Sequence, residues 1–473
     1  MVSLALVSRL TIAFAATLLT AAVAPAGAAA QFPGTDLLRL ADEPSRSPAI
    51  SQDKRFGRLA AFEADTGGTS NVYVVRRAEG YGENGTPWRA GERVLASRGL
   101  GGQPANGPST QPALDGTSRA APHCVAFVSA ASNLVRGDTN GKPDAFLSDL
   151  RTGTLRRVSV NSRGRQSNGT VSEVVVNGLC TRVAFVSDAA DLALRRTRNR
   201  SWRTAVTRAN PPGRRQVYIR ALGGTNGLDR ALKGLTFLAS ATDSGRPGDG
   251  DSHSVAFTFN SDTRALTFAS DARNLSSRDG NGVTDVYQRV MTRRHGKKFR
   301  GRRPQQLHMD TSLISAGADG RAGSGASTSP ASNVDGSMVA FVTTAADLIG
   351  RSTSVPQIVT ARVDGSSSPA MRLGSRNPSG GPGNGPSAAP SLTAGGSWVV
   401  FDSEATDVGV TTTRGPDTNG VRDAMLATDP SGDHWLLGEG ARSPTTNPMT
   451  SPHGNYIVFE RAGHVHLLYV GEK

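Results

Sequence analysis

Three segments with the pattern D-x-N-G-x-x-D combine residue types that can bind a hard cation. The segments are Asp138–Asp144, Asp279–Asp285 and Asp417–Asp423, with the amides Asn140, Asn281 and Asn419 at their third positions. Carboxylate and amide oxygens are ligands that Ca²⁺ prefers, so calcium is one interpretation. The alternative is a turn in which the second Asp accepts hydrogen bonds from backbone N–H groups. The glycine comes earlier than in an EF-hand loop, and Gln216 and Gln357 take the place of the second Asp elsewhere, which suits the turn.

Two basic segments are candidate contacts for an anionic partner. The first, Leu194–Arg215, contains the six side chains from which we expect most of the binding: Arg195, Arg196, Arg198, Arg200, Trp202 and Arg203. The second is Arg293–Arg303. With 53 Lys and Arg against 39 Asp and Glu, the chain carries a net charge of +14, which favours anionic surfaces. We expect a protein or an anionic envelope polymer as partner, and not nucleic acid; the alternative is that both segments are solvated insertions.

The motifs of the common catalytic sites are absent from the sequence. It contains no G-x-S-x-G elbow, no H-E-x-x-H or C-x-x-C pair and no phosphate-binding Gly-Lys loop. His464 and His466 share one face of a predicted strand and could chelate a metal, but the strand belongs to the closing unit and no third ligand is evident. A plain strand is the better interpretation there. We therefore expect no catalytic residue and no cofactor, with calcium as the exception left open.

A repeated pattern of short strands surrounds these residues. In "VAFVSAASNLVRGDTNGKPDAFLSDLRTGTLRRVSV", residues 125–160, apolar and polar residues alternate as in strands with one buried face. Asn140-Gly141 marks a tight turn between two of them. A phenylalanine closes the same strand in each of seven units: Phe62, Phe127, Phe185, Phe268, Phe341, Phe401 and Phe459. Each unit predicts four strands, A to D, which is how a β-propeller looks in sequence.

The quoted repeat resembles that of the TolB-like β-propeller family, which is related in shape to WD-type repeats. The elements S-x-DG-x-x-VAF and D-x-NG-x-x-D carry the resemblance. It implies a propeller of six or more blades, often exported and often a platform for protein contacts, and it implies no particular reaction. The count of units predicts an all-β fold with seven four-stranded antiparallel blades; six blades or an open solenoid are the alternatives.

The two ends of the chain complement each other. The seventh unit ends after three strands, at "HVHLLYV", whereas "TDLLRLADEP" from Thr35 looks like a D strand with no unit before it. We expect the strand Thr35–Leu40 to pair with His464–Val470 and close the ring, which would remove two open sheet edges.

Residues 1–30 have the features of a secretory signal peptide. Arg9 precedes a long apolar run, and Ala-x-Ala sites end at Ala28 and Ala30. A permanent membrane anchor is the alternative. We expect residues 31–473 to be the propeller: a monomer, secreted or held in the periplasm or cell envelope, without a transmembrane segment.

Two cysteines, Cys124 and Cys180, precede strand B in consecutive units. Both should lie in A–B turns on the same face of adjacent blades. In an exported protein such a pair predicts a disulfide, and two buried thiols are the alternative.

Two classes of function fit these observations. One is an exported, non-catalytic interaction platform. The other is a propeller enzyme, such as a polysaccharide hydrolase or lyase, whose residues converge on the central channel from different blades. Carboxylates or histidines clustered at a mouth of the channel would favour the enzyme.

Overall fold

Seven four-stranded antiparallel sheets form the described part of the chain. The computed structural model describes residues 36–53, 57–78, 87–193, 210–211, 213–224, 227–258, 265–295, 305–351, 353, 355–409, 417–428, 434–437 and 442–471. In every sheet, neighbouring strands along the chain pair in order, from strand A on the inside to strand D on the outside. Each strand A contacts the strand A of the next sheet, and the last contacts the first. The sheets are thus the blades of a seven-bladed propeller, as the sequence predicts.

Each blade contains its strands in the order A to D. Blades 1 to 3 contain β2 (Ser45–Ile50), β3 (Leu59–Thr66), β4 (Thr69–Arg77) and β5 (Ala90–Leu95); β6 (Ser109–Leu114), β7 (Cys124–Ser129), β8 (Asp144–Asp149) and β9 (Thr154–Arg157); and β10 (Val171–Val176), β11 (Arg182–Ser187), β12 (Gln216–Ala221) and β13 (Thr236–Leu238). Blades 4 and 5 contain β14 (Ser252–Phe257), β15 (Ala265–Ser270), β16 (Asp285–His295) and β17 (Gln305–Leu313); and β18 (Ser327–Ser332), β19 (Met338–Thr343), β20 (Gln357–Arg362) and β21 (Ala370–Leu373). Blades 6 and 7 contain β22 (Ser387–Leu392), β23 (Trp398–Ser403), β24 (Asp423–Thr428) and β25 (His434–Leu437); and β26 (Thr445–Thr450), β27 (Tyr456–Arg461), β28 (His464–Tyr469) and β1 (Asp36–Arg39).

Helices are short and confined to loops. α1 (Gly227–Leu232) precedes strand D of blade 3, α2 (Ala346–Ile349) follows strand B of blade 5, and one 3₁₀ turn spans Leu100–Gly102. Among the described residues, no helix has the length and apolar character needed to cross a bilayer.

The first strand of the chain closes the ring by completing blade 7. β1 pairs antiparallel with β28, with Asp36 opposite Tyr469 and Arg39 opposite His466. The backbone N–H of Leu40 adds a further bond to the Val465 carbonyl at 3.0 Å. The closure predicted from the two chain ends is therefore confirmed.

Strand B is the buried centre of every blade, and its phenylalanine explains the strength of the repeat. All seven strand B phenylalanines are fully buried, because neighbouring blades cover both faces of the strand. In four blades the ring stacks on an aromatic ring of strand C, as in Phe268 against Tyr287 at 5.9 Å between centroids. The apolar runs around VAF thus reflect burial on two faces, as in other doubly covered strands.

A repeated glycine brings the loop that leads into strand A against the loop that follows strand B of the same blade. A Cβ atom on Gly169 would lie 2.4 Å from the backbone nitrogen of Ala189, and one on Gly250 would lie 2.4 Å from the carbonyl carbon of Asp271. Only glycine fits so close to a backbone. Two residues after Gly250, Ser252 begins strand A of blade 4, and its hydroxyl bonds that of Ser270 at the end of strand B at 2.9 Å.

The two basic segments leave the propeller from opposite ends of the sheets. The first lies between β11 and β12, in a B–C loop, and the second between β16 and β17, in a C–D loop. In a meander these loops begin at opposite ends of the sheets; residues 194–209 of the first segment and 296–303 of the second lie outside the described residues. We call the end of the propeller with the B–C and D–A loops the B–C face.

Candidate functional site

A residue at or near the start of strand C makes a buried hydrogen bond across the blade. The Ser159 hydroxyl, just beyond strand D, donates to Asp144 Oδ1 at 2.5 Å and accepts the backbone N–H of Ala145 at 3.1 Å. Five blades show the same pairing, namely Asn71 with Ser97, Asp144 with Ser159, Gln216 with Ser240, Asp285 with Ser315 and Gln357 with Ser375. Because amides take this position in three of these blades, the shared task is accepting a hydrogen bond, and it needs no negative charge.

The amides of the D-x-N-G-x-x-D segments point a donor at the second carboxylate. The Nδ2 donations are Asn140 to Asp144 at 3.3 Å, Asn281 to Asp285 at 2.8 Å and Asn419 to Asp423 at 2.5 Å. A calcium ion would instead require the amide oxygen. In blade 2 that oxygen accepts the backbone N–H of Lys142 at 3.0 Å, as in an Asx turn.

In blade 2 a guanidinium occupies the space between the paired carboxylates. Arg157 Nη1 lies 3.3 Å from Asp138 and 3.5 Å from Asp144, and Gln166 donates to both carboxylates at 2.8 and 3.0 Å. These contacts suit the turn interpretation better than a cation site. Calcium binding at the three segments stays a prediction.

Burial raises the pKa of the strand C carboxyls. Desolvation is the largest cause at Asp144, Asp285 and Asp423, and it raises the pKa of Asp285 to about 7 and that of Asp423 to about 6. Such values can mark a catalytic acid or base. Here Asp144 and Asp285 are held by the serine and asparagine donors described above, and none of the three lines the central channel. We attribute their pKa shifts to structural burial.

Cys124 and Cys180 form the disulfide that the sequence predicts. Cys124 begins β7, and Cys180 lies in the turn between β10 and β11. The bond therefore joins the A–B side of blade 2 to the same side of blade 3.

Asp53, in the A–B turn of blade 1, is a buried carboxyl with an imperfect set of partners. It is 2% exposed, and its Oδ1 accepts the Ser51 hydroxyl at 2.6 Å and the Arg58 N–H at 3.2 Å. The Arg58 guanidinium lies 3.6 Å from Oδ2 but is 46% exposed, so water weakens its attraction. Desolvation raises the pKa of Asp53 to about 6.

We expect Asp53→Asn to stabilise the protein above neutral pH. Because the folded-state pKa lies above the unfolded one, the folded state holds the extra proton between about pH 4 and 6, and stability falls as pH rises through that window. The full penalty is present above pH 6, so the variant should gain about 1–2 kcal/mol at pH 7.5 and roughly half of that at pH 5. Denaturant unfolding at the two pH values measures this. Asp364→Asn, at an exposed carboxylate, is the control and should show no such gain; a loss of stability in Asp53→Asn at pH 7.5 would contradict the expectation.

The six predicted partner-binding side chains, Arg195, Arg196, Arg198, Arg200, Trp202 and Arg203, lie outside the described residues. Their role in binding stays a prediction. The second basic segment begins on β16, where His295 pairs with Gln305 across the hairpin.

The histidines of strand β28 make local contacts. His464 Nδ1 lies 3.0 Å from the Glu43 carbonyl, and His466 stacks on Phe459 at 6.0 Å. Within the described ranges, no third ligand joins them to form a metal-binding group.

A channel of about 460 Å³ runs between the seven A strands, all of which contribute to its lining. The lining is dominated by small and apolar side chains, with prolines from five blades: Pro48, Pro112, Pro330, Pro390 and Pro448. Valines take the corresponding part of the lining in blades 3 and 4, and Met449 enters from blade 7. None of the described lining residues is an Asp, Glu, His, Lys or Arg. The channel can bind an apolar group, but its lining supplies no general base.

The prolines mark a bulge in strand A that brings polar residues to one end of the channel. The strand A to strand B register shifts in all seven blades, for example between Thr110 and Ala113. In six blades the first bulge residue has a positive φ: Ser47, Gln111, Ser254, Ser329, Ala389 and Asn447. Bulges tolerate proline because they leave a residue outside the ladder. These six bulge residues, five of them polar, lie toward the B–C face, since this part of strand A pairs with the end of strand B. We call them the bulge ring. Four of its members line the channel: Ser47, Gln111, Ala389 and Asn447.

Carboxylates outside the channel hold three of the bulges in place. Glu63 accepts the backbone N–H of Gln111 at 2.7 Å, Asp402 that of Asn447 at 2.9 Å, and Glu460 that of Ser47 at 2.8 Å. Each bond joins strand B of one blade to strand A of the next.

Arginines neutralise two of these carboxylates. Arg46 pairs with Glu63 at 2.9 Å and Arg422 with Asp402 at 2.7 Å. These acids therefore position the lining residues and do not form a free acidic cluster at the mouth of the channel.

The bulge ring is not among the features predicted from the sequence, although a signal for it is present. That signal is the repeated S-x-x-P at the start of strand A, as in "STQPAL" and "STSPAS". A proline that breaks an otherwise regular strand indicates an edge or a bulge. A proline stands at this position in five units, so the rule predicts a bulge in strand A of each of those five blades.

Known proteins resemble this chain in fold, and none of them shows a family for it. No family model matches the sequence, and no curated protein matches it. Among solved structures, acylaminoacyl peptidase of Pyrococcus horikoshii is 9% identical over 88% of this chain and 48% of its own, with a TM-score of 0.43. The β-propeller domain of the Trilobed protease from Pyrococcus furiosus is 8% identical over 90% and 95%, at 0.44, and that of Cps50 (Swd1) from Myceliophteria thermophila is 10% identical over 91% and 99%, at 0.41. The chain spans about half the length of the peptidase, and these likenesses concern the propeller fold alone.

Proposed function

We propose that the chain is an exported, non-catalytic interaction platform of the TolB-like kind, which binds a protein partner at the B–C face of its channel. The export signal and the family resemblance in the repeat support the first part of this proposal. The chemistry of the channel supports the second.

The observation that carries the proposal is the channel lining. Side chains from all seven blades enclose about 460 Å³, and the described lining is mostly small and apolar below the bulge ring. Gln111, Ser329 and Asn447 of that ring are exposed. An apolar side chain inserted into the channel would lose contact with water, while the ring would offer hydrogen bonds to the backbone that carries it. That combination suits a protein loop better than a polysaccharide.

The basic B–C segment adds an electrostatic contribution to the same face. Removal of residues 1–30 takes one arginine, so the mature chain keeps a large positive charge. The arginines between Arg195 and Arg203 stand in a B–C loop of blade 3, on the face where the bulge ring opens. Positive charges on this face would speed association and favour an acidic partner.

The enzyme alternative requires ionisable groups at the channel, and the described lining provides none. Serines such as Ser332 and Ser391 line it, but a serine nucleophile needs an adjacent base. The lining thus favours binding over turnover.

Plugging the channel tests the proposal. Ala331, in strand A of blade 5, lines the channel, so we expect Ala331→Trp to reduce capture of the partner from the envelope fraction of the source organism at least about tenfold, equivalent to about 1.4 kcal/mol. Replacing the six basic-segment residues with Ser should weaken capture further, and rising salt should weaken it in the parent chain. Quantitative mass spectrometry of the captured protein is the measurement.

Thr154→Trp, on the exposed outer strand β9, is the matched control and should leave capture within about twofold. Unchanged capture by the Ala331→Trp variant would show that the partner does not bind in the channel. If binding persists after the envelope fraction is treated with protease, the partner is a polymer and not a protein. Turnover of a polysaccharide or peptide library would show that the chain is an enzyme and contradict the platform proposal.

A further inference from the structure

Four side chains of ligand type meet where blades 2 and 3 touch, at the end of the propeller opposite the B–C face. Asp115 and His123 belong to the turn between β6 and β7, Cys124 begins β7, and Cys180 comes from the corresponding turn of blade 3. One potential ligand atom from each lies within 4.8 Å of all the others. In the described part of the chain, this is the one group of three or more such side chains.

Asp115 is held in an orientation that leaves one oxygen available. The residue is fully buried, and its Oδ1 accepts the backbone N–H groups of His123 at 2.8 Å and Cys124 at 2.9 Å. Its Oδ2 has no hydrogen-bond partner, although His123 Nδ1 lies 3.1 Å away. A buried oxygen without a partner is costly, so its position beside the imidazole and within a group of ligand-type side chains calls for an explanation. A cation in this position would satisfy it.

The donor set matches a structural zinc site. Two thiolates, an imidazole and a carboxylate give a tetrahedral shell of the kind that Zn²⁺ adopts. The Cα atoms of the cysteines are 6.1 Å apart, a distance that two thiolates bound about 2.3 Å from one zinc ion can span. Backbone bonds to Asp115 supply the outer shell that such sites need.

We propose that the reduced chain binds one Zn²⁺ through Asp115, His123, Cys124 and Cys180, so that either a disulfide or a zinc ion joins blades 2 and 3. A dithiol reductant transfers two electrons and two protons to the disulfide, which yields two thiols and the oxidised reductant. Zinc then displaces the two thiol protons and binds the two thiolates. This site is independent of the partner-binding function proposed for the channel.

Cobalt titration of the full chain tests the site, because Co²⁺ reports tetrahedral thiolate ligation in its absorption spectrum. After reduction with a phosphine, we expect one Co²⁺ per chain, a thiolate-to-metal charge-transfer band and displacement of the cobalt by Zn²⁺. The oxidised chain should bind none. His123→Ala and Asp115→Asn should each weaken binding at least about tenfold, whereas His253→Ala, on strand A of blade 4, should not change it.

Equal binding by the oxidised and reduced chains would overturn the proposal, as would unchanged affinity in His123→Ala. A reduced chain that loses its β-sheet circular dichroism and does not regain it when Zn²⁺ is added would overturn it too, since metal bound only by the folded state must stabilise that state.

Discussion

A chain that begins at residue 43 should melt about 3–5 °C below a chain that begins at residue 31. The shorter chain lacks β1, so it loses the pairing of Asp36–Arg39 with β28 and the burial of Leu40 and Ala41. It also exposes β28 as a sheet edge, which favours aggregation. A loss of a few kcal/mol spread over a domain of this size gives a shift of that order. Thermal unfolding followed by circular dichroism measures it.

The chain that begins at residue 31 is the control, because it differs only in carrying the closing strand. A synthetic peptide of residues 35–44, added to the shorter chain, should restore part of the lost melting temperature by refilling the edge. Identical melting curves for the two chains, with no effect of the peptide, would show that β1 does not close the ring.

Replacing both cysteines with alanine should cost about 4 kcal/mol of unfolding free energy. The disulfide closes a loop with a sequence separation of 56, and the chain-entropy treatment gives that magnitude for a loop of this length. Alanine is used because Cys124 is buried, where a serine hydroxyl would add its own penalty. Guanidinium unfolding in the presence of a metal chelator measures the loss without a contribution from zinc.

The oxidised and the reduced parent chains are the two controls for the unfolding free energy of the double variant. The double variant should match the reduced parent and should not respond to reductant, because it has no bond left to break. A double variant as stable as the oxidised parent would mean that the disulfide contributes nothing to the link between blades 2 and 3.

The repeat made most of the fold predictable from the sequence. Strand B is buried on both faces, so its VAF run is strongly apolar, and turn residues such as Gly141 separate the strands. The strand B phenylalanine recurs seven times, which indicates both the architecture and the number of blades. Ring closure was predictable because the two chain ends are incomplete in complementary ways.

The candidate site was less predictable, because it is formed by single residues from seven blades. Ala113 and Ala331 are far apart in sequence and have no local feature that marks them as lining a channel. The D-x-N-G-x-x-D segments are conspicuous in sequence, yet the structure uses them in turns and in buried hydrogen bonds within a blade. Asp115 joins Cys180 only because the turns of two blades meet, and no spacing in the sequence announces that contact.

Site-specific photo-crosslinking tests the central claim, that a protein binds at the B–C face of the channel, most directly. A photoreactive residue is placed at Gln111 or Asn447, exposed members of the bulge ring, and at Thr154 on the outer strand as the control. After irradiation in the envelope fraction, we expect one protein to crosslink from both ring positions and not from Thr154, with less of it at high salt. Equal crosslinking from all three positions, or none from the ring, would contradict the claim.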